Sequence, residues 1–193
     1  MTLPETPSQT IGPFFAVGLP WPDGPDVVAD GTPSALWIGG QVTDGAGEPV
    51  PDALVETWQA DPAGRFAGGS GASGFRGFGR CATDAEGRFR FVTVKPGAYP
   101  WKNHHNAWRP AHIHFSLFGR AFAQRLITQM YFPGDPLFPF DPILSSVPEA
   151  ARERLVSSLD LDTTVPEWAL GYRWDIVLRG RQATPLEDED DGP

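Results

Sequence analysis

Cysteine and long apolar runs are scarce in this sequence. Cys81 is the single cysteine, so the chain cannot form an internal disulfide, the usual support of small secreted domains. The opening MTLPETPSQT has no charged start followed by an apolar run, and no stretch approaches the roughly 20 apolar residues that span a bilayer. Nothing here indicates export or membrane insertion, and we expect a soluble, cytoplasmic protein.

Positive charge is also scarce. The 15 Lys and Arg residues are outnumbered by 24 Asp and Glu residues, which gives a formal net charge of -9 at pH 7. A chain of this charge repels a phosphate backbone, so nucleic acid is not expected as a partner. Part of the excess lies between Glu187 and Asp191, and we expect residues 183–193 to form an acidic, disordered tail.

Glycine, proline and aromatic residues are abundant instead. The 193 residues include 22 Gly and 21 Pro and are 12% aromatic, a turn-rich composition that favours β architecture. The length fits one domain with a substantial core. Residues 1–35 lack a sustained period but carry Phe14, Phe15 and Trp21, so we interpret them as an arm that packs on another surface, such as a partner chain. The domain itself is expected at residues 36–182.

Short strands between turns account for most of this domain. Alternating or short apolar runs predict strands in LWIGGQVTD (36–44), DALVETWQA (52–60), GRCATD (79–84), RFRFVTV (88–94), HIHFSLF (112–118), QRLITQMYF (124–132) and YRWDIVLRG (172–180). One short helix is predicted near residues 148–160, where Pro148 fits the first turn and Leu155 and Leu159 share a face. The pattern predicts an all-β fold, an antiparallel β-sandwich of about seven or more strands.

All four histidines lie between residues 99 and 115. His112 and His114 are two apart on a predicted strand, so both side chains point to one face and can share one metal ion. The alternative is a pair of imidazoles that hydrogen-bond to backbone or carboxylate groups, and the spacing leaves both interpretations open. His104 and His105 stand in the polar run KNHHN and are expected to be surface loop residues.

Tyr99 and Arg109 lie in the same stretch. A phenol loses its proton only to a strongly charged cation, and a hard oxygen donor beside imidazoles favours iron. Tyr99 could equally be an aromatic cap on the core. Pro110 biases Arg109 to an extended conformation, where the guanidinium could bind a carboxylate or stabilise a developing anion, while an ordinary salt bridge is also open.

Longer motifs around these residues are similar to those of one family. The runs YPW (99–101) and WRPAHIHF (108–115) resemble the iron site of the intradiol ring-cleaving dioxygenases, and the likeness extends to WQAD (58–61), GFGRCATDAEGRF (77–89) and QRLITQMYFPGDPLF (124–138). The resemblance implies a β-sandwich in which Fe(3+), held by two tyrosinates and two histidines, binds both oxygens of a catechol, whose ring then reacts with O2. It matches Tyr99, His112 and His114 to three of the metal ligands. It also matches Arg109 to the arginine that stabilises the activated substrate.

The fourth ligand is where this sequence departs from the family. The second tyrosine of the family follows Gly-Arg after the WQA segment, and here Gly64 and Arg65 are followed by Phe66. Phenylalanine has no oxygen to offer a metal. The resemblance therefore implies an incomplete iron site in this chain.

Some members of the family combine an iron-bearing β chain with a homologous α chain, whose own site is vestigial and whose N-terminal arm helps to wall the partner's pocket. PETPSQTIGPFF (4–15) resembles that arm, which would lend Thr10, Gly12 and Pro13 to the partner, whereas residues 99–138 resemble the β chain. From the arm and Phe66 we predict an α-type subunit that takes part in O2-dependent cleavage of protocatechuate or a related catechol. Fe(3+) would then be bound mainly or only by a partner β subunit.

Two alternatives stay open beside the α-type prediction. The chain could be a self-sufficient dioxygenase with a three-ligand iron, in which water or a partner's residue fills the place of the missing tyrosine. It could also be a non-catalytic β-sandwich binding module whose histidines are only packed.

Overall fold

Eleven strands and two short α-helices make up the part of the chain that the structure describes. The computed structural model describes residues 18–29, 31–68, 75–101, 107–119 and 125–186. In chain order the strands are β1 (Ala35–Thr43), β2 (Leu54–Trp58), β3 (Phe78–Ala82), β4 (Arg88–Val94), β5 (Tyr99–Pro100), β6 (Trp108–Arg109), β7 (His112–Phe118), β8 (Leu126–Tyr131), β9 (Ser158–Val165), β10 (Ala169–Arg173) and β11 (Ile176–Val177). The helices α1 (Pro142–Ser146) and α2 (Glu149–Arg152) lie between β8 and β9, and 3-10 turns cover Phe138–Phe140 and Glu153–Leu155.

The first sheet is built around β1. Strand β4 pairs antiparallel with β1 along one edge, while the other edge is shared by β10 and β11, which both run parallel to β1. Strand β9 pairs antiparallel with β10. The predicted β-sandwich is confirmed, but this sheet is mixed, because β10 and β11, which follow the second sheet and the helices, run parallel to β1.

The second sheet has the order β3-β2-β7-β8, and all of its pairs are antiparallel. The strands predicted from HIHFSLF and QRLITQMYF are its β7 and β8. A separate two-stranded ribbon pairs β5 with β6, with Tyr99 opposite Arg109. The ribbon thereby brings Tyr99 next to Arg109.

The hydrophobic core lies between the two sheets. Alternate residues of β7 enter it, namely Ile113, Phe115 and Leu117, each with 0% exposure. Since successive side chains of a strand point to opposite faces, His112 and His114 lie on the other face of the second sheet. The single cysteine is buried in the core, and burial raises the pKa of the Cys81 thiol to about 12, so this thiol stays protonated at neutral pH.

The helix predicted near residues 148–160 is present but much shorter. It occupies Glu149–Arg152 and continues as a 3-10 turn to Leu155. Ser157 then donates its backbone N–H to the Tyr131 carbonyl at 2.9 Å, and Ser158–Val165 form strand β9. Pairing with β10 thus overrides the local helical pattern. None of the helices in the described residues is long and apolar enough to cross a membrane.

Both predicted terminal segments are described only in part. Residues 21–27 of the predicted arm lie against this chain's own sandwich, where the Gly24 carbonyl accepts from the Arg80 amide and Val27 donates to the Val92 carbonyl. Residues 1–17 lie outside the described residues, so packing of the arm on a partner stays a prediction. At the other end, the Pro185 carbonyl accepts from the Thr128 hydroxyl at 2.7 Å, and residues 187–193 of the predicted tail lie outside the described part.

Candidate metal centre

The two strand histidines are adjacent on the outer face of the second sheet. Their Nε2 atoms lie 3.2 Å apart. His112 is 2% exposed, and its Nδ1 atom lies 2.7 Å from the Pro110 carbonyl. A carbonyl only accepts, so Nδ1 carries the proton in the neutral ring and Nε2 keeps a free lone pair.

Tyr99 supplies a third donor atom to the same point. The β5–β6 ribbon holds it so that its hydroxyl oxygen lies 3.1 Å from His112 Nε2. Two ligands bound to one metal at about 2.1 Å and roughly right-angle to tetrahedral angles are about 3.0–3.4 Å apart. The two separations from His112 Nε2, to the Tyr99 hydroxyl and to His114 Nε2, therefore match those of ligands that share one ion.

Both imidazoles are neutral at physiological pH. Burial lowers the pKa of His112 well below its ordinary value, and the nearby Arg109 cation and His114 lower it further. Burial and Arg109 lower the pKa of His114 to about 4. A neutral imidazole is the form that binds a metal. The surroundings thus hold the donors in their ligand form.

Phe66 lies beside this cluster. Its ring centroid is 5.3 Å from that of Tyr99, 6.4 Å from that of His114 and 5.9 Å from that of Trp58. The fold thus places Phe66 next to the three donors, at the position where the family has its second tyrosine. The Phe66 side chain presents only carbon atoms to them.

The loop that carries Phe66 is organised by Asp61, whose part in the site was missed from the sequence. The Asp61 carboxylate accepts from the Ala63 and Arg65 amides at 2.8 and 3.0 Å and pairs with the Arg65 guanidinium at 2.8 Å. Gly64 has a φ of 75°, which favours glycine. The Asp-Pro-Ala-Gly sequence is a turn signal that could have indicated this loop.

Arg109 is buried next to the cluster, with 2% exposure. Its Nε atom lies 3.1 Å from Asp141 Oδ1, an ion pair, although Nε is not aligned as a hydrogen-bond donor to it. Its Nη2 atom donates to Gln129 Oε1 and lies 3.4 Å from the Tyr131 hydroxyl. The salt bridge that the sequence left open for Arg109 is therefore present, and it lies beside His112.

Gln129, Tyr131 and Asp141 were not predicted as site residues. Gln129 reaches the site because it is directly opposite His114 in the β7–β8 pair, and such register cannot be read from a local pattern. Tyr131 was assigned a core role, and it is fully buried, but its hydroxyl also donates to Gln129 Oε1 at 3.2 Å. Tyr172 does pack in the core, edge-on to Phe132.

Five residues considered in the sequence cannot be placed. His104 and His105, and the residues expected to serve a partner's pocket, Thr10, Gly12 and Pro13, lie outside the described residues. Within the described ranges, no three histidine, cysteine or carboxylate side chains cluster as a metal site. The third donor of the candidate centre is therefore the Tyr99 phenol, beside His112 and His114.

Comparison with known proteins identifies the family. A family model described as dioxygenase matches residues 11–180. The chain is 57% identical to the protocatechuate 3,4-dioxygenase β chain of Burkholderia cepacia over 170 residues, which are 84% of this chain and 72% of that one. This chain belongs to the intradiol ring-cleaving dioxygenases.

Two further intradiol relatives extend the comparison. The protocatechuate 3,4-dioxygenase α chain of Burkholderia cepacia is 36% identical over 203 residues, covering 97% of this chain and 98% of that one. Among solved structures, hydroxyquinol 1,2-dioxygenase from Pseudomonas putida DLL-E4 has a TM-score of 0.66 at 26% identity, over 89% of this chain and 65% of that one. The higher identity to a β chain weighs against the α-type prediction, whereas the α chain is matched over more of this chain.

Intradiol dioxygenases use non-haem ferric iron. Three side chains of this chain, Tyr99, His112 and His114, are suitable ligands for that ion. Two neutral imidazoles and a phenol converge with ligand-like separations, and a phenolate beside imidazoles is a hard donor set that suits Fe(3+). The Phe66 side chain provides no fourth donor.

Proposed function

We propose that this chain is an iron-binding, β-type subunit of a protocatechuate 3,4-dioxygenase, with Tyr99, His112 and His114 as the protein ligands of Fe(3+). The observation that carries this proposal is the convergence of three donor atoms at 3.1 and 3.2 Å. The 57% identity to a β chain supports it. The same proposal replaces the α-type role that the arm and Phe66 suggested.

Tyr99, His112 and His114 would hold the ferric ion, which would supply the Lewis acid that activates a catechol for ring opening by O2 between its two hydroxyl-bearing carbons. The chain's own residues prepare this chemistry. The neutral His112 imidazole keeps its Nε2 lone pair free, His114 is held neutral beside it, and Arg109 places a buried cation beside the site. Positive charge in a water-poor site stabilises an anion that develops there. Gln129 accepts a hydrogen bond from the guanidinium.

A homologous α subunit is the partner we propose for this chain, because the matched relatives are an α and a β chain. Trp58 and Trp108 stay 38% and 42% exposed near the site, and such aromatic side chains favour coverage by another protein surface. Water or a partner's residue would fill the fourth position beside Phe66. The substrate is protocatechuate or a related catechol.

A second candidate follows from Phe66 itself. In an α-type subunit the three donors would be vestigial, Fe(3+) would reside in the partner β chain, and Thr10, Gly12 and Pro13 would line the partner's pocket. The alignment to an α chain over 97% of this chain favours this candidate.

The two candidates differ in whether the chain alone binds iron. The first experiment is to purify the chain from cells supplied with iron, and to measure iron content and visible absorption, since tyrosinate bound to Fe(3+) gives a strong charge-transfer colour. The β-type proposal expects near-stoichiometric iron and colour. A colourless, iron-free chain that restores ring cleavage only when coexpressed with an intact β chain would establish the α-type role instead.

A further inference from the structure

Asp141 is a fully buried carboxylate that the proposed chemistry does not yet use. Its exposure is 0%, and it stands between the 3-10 turn Phe138–Phe140 and helix α1. Its Oδ1 accepts from the Ile143 amide at 2.9 Å as the N-cap of α1, whereas its buried Oδ2 makes no hydrogen bond to the described residues. Burial of a carboxylate is costly unless a cation compensates it. A cap alone needs no charge, since Asn and Ser cap helices equally well.

The compensating cation is Arg109. Its Nε lies 3.1 Å from Asp141 Oδ1, and the two side chains are only 3% and 0% exposed. The remaining contacts hold the same group from other sides: Gln129 accepts from Nη2, and the Trp101 ring lies 5.2 Å from the guanidinium carbon. The guanidinium is thus held by an ion pair at Nε, which is not a hydrogen bond, and by a hydrogen bond from Nη2.

We propose that Asp141 is a positioning residue of the active site: its carboxylate holds the Arg109 guanidinium through the ion pair at Nε, so that the buried cation stays beside His112 and the bound catechol. This inference rests on the proposed function. Asp141 does not touch the metal donors itself and acts only through Arg109. The same aspartate caps the N-terminus of helix α1 and pairs with Arg109. The position of that helix is therefore coupled to the geometry of the site.

The charge and the cap can be separated by substitution. Asp141→Asn keeps the N-cap and the side-chain volume but removes the charge, while Asp141→Glu keeps the charge on a longer side chain. Asp84→Asn is the matched control, because Asp84 likewise accepts backbone N–H groups, from Glu86 and Arg88 at 3.0 and 2.8 Å, in the turn between β3 and β4. Each variant is studied as the full chain, loaded with iron and coexpressed with an α subunit.

The first readout is catalysis of protocatechuate cleavage together with anaerobic binding of protocatechuate. We expect Asp141→Asn to lower kcat/KM by about 10- to 100-fold, as loss of a group that orients a functional side chain does, with iron content unchanged. Asp141→Glu should recover part of this loss, and Asp84→Asn should match the unmodified chain. If Asp141→Asn retains full kcat/KM while Arg109→Gln loses it, the positioning role is wrong.

The second readout needs neither iron nor turnover. Solvent exchange of the Arg109 Nε–H, followed by NMR in the unmodified iron-free chain, should be slowed by at least about tenfold relative to exposed arginines, because the guanidinium is buried and paired with Asp141. Asp141→Asn removes the ion pair and should reduce that protection. Rapid exchange in the unmodified chain would overturn the proposal even if Asp141→Asn failed to fold. An inactive, iron-free chain with a protected Nε–H would instead refute the proposed function and leave the Arg109–Asp141 anchor standing.

Discussion

Tyr99, His112 and His114 reach one point by different routes, although all three come from a stretch of 16 residues, 99–114. The two histidines are placed by strand alternation, which puts them opposite Ile113 on β7. Tyr99 is placed by the ribbon that pairs it with Arg109. The same ribbon therefore sets both a donor and the buried cation, so a change at either position affects both. At the scale of residues, the site depends on few side chains, and each can be tested singly.

His112→Ala should remove iron from the chain. The substitution deletes the donor that lies within 3.2 Å of both other donors, and two remaining ligands bind a metal far more weakly. We expect iron content after gel filtration to fall by more than about tenfold, with the visible colour lost in parallel. His105→Ala is the control within the same stretch. Unchanged iron in His112→Ala would contradict the proposed ligand set.

Phe66→Tyr should strengthen the iron site. The new hydroxyl would extend from a ring whose centroid is 5.3 Å from that of Tyr99 and would add a fourth oxygen donor to the cluster. We expect slower loss of iron to a chelator and a second tyrosinate contribution to the visible absorption. Phe140→Tyr, at a side chain that is 55% exposed, adds a phenol elsewhere and should leave both quantities unchanged. An identical spectrum in Phe66→Tyr would show that this side chain does not face the metal.

At the scale of elements, a strand or helix can be predicted from the sequence where its local residue pattern determines it, but not where pairing with a distant strand determines it. The strands RFRFVTV and HIHFSLF are predicted at their observed bounds, because a strand with one buried face alternates apolar and polar residues along the sequence. The helix expected up to residue 160 ends early, because Leu159 pairs with Tyr172 in the first sheet. Gln129 and Asp141 reach Arg109 from residues 20 and 32 positions away, through strand register and a helix N-terminus, and neither contact is visible locally. The Asp141-Pro142 pair was nevertheless a legible signal for the missed helix α1.

In strand β1, the backbone of Gly40 lies very close to that of Trp174, whereas Gly39 has more space. Alanine substitutions at these two adjacent glycines should therefore differ strongly in their effect on stability. A Cβ atom at Gly40 would lie 1.8 Å from the Trp174 carbonyl oxygen, where the chain passes from β10 to β11, whereas one at Gly39 meets nothing nearer than 3.6 Å. Gly40→Ala should therefore lower the free energy of unfolding by about 2–3 kcal/mol, because backbone has to move. Gly39→Ala, the matched control, should stay within about 0.5 kcal/mol. Chemical denaturation of the two variants measures both values, and equal stabilities would refute the packing described at this crossing.

At the scale of the whole molecule, the core and the candidate site lie on opposite faces of one sheet. Phe115 and Leu117 fill the space between the sheets, while His112 and His114 face away from it. Substitutions of His112 and His114 therefore remove no side chain from between the sheets, which is why iron content and folding can be measured as separate quantities. The exception is protonation, because the site histidines are buried in a neutral form and the whole fold responds to their charge.

The iron-free chain should lose stability between about pH 6.5 and pH 4. The pKa of His114 is about 4 in the fold against an ordinary 6.5, so over this window the unfolded state binds a proton that the folded state does not. Stability therefore falls as pH falls through the window. A difference of this size corresponds to at most about 3 kcal/mol, and partial solvent access to the His114 ring reduces it. His112, whose pKa is lowered further by burial, extends the loss to lower pH.

The contribution of the carboxylates to the pH dependence of stability can be separated from that of the histidines, because carboxylates titrate at lower pH. Although burial alone would raise it, hydrogen bonds from Arg65 and Ala63 hold the pKa of Asp61 below its ordinary value of 3.8, so its contribution is lost only at more acidic pH. Urea unfolding at several pH values, compared between the unmodified chain and His114→Gln, isolates the histidine. We expect the variant to show the shallower decline between pH 6.5 and pH 4, because it carries one group fewer that must be kept neutral. Parallel curves would mean that His114 titrates as freely in the fold as in the unfolded chain, and would contradict the lowered pKa that burial and Arg109 give it.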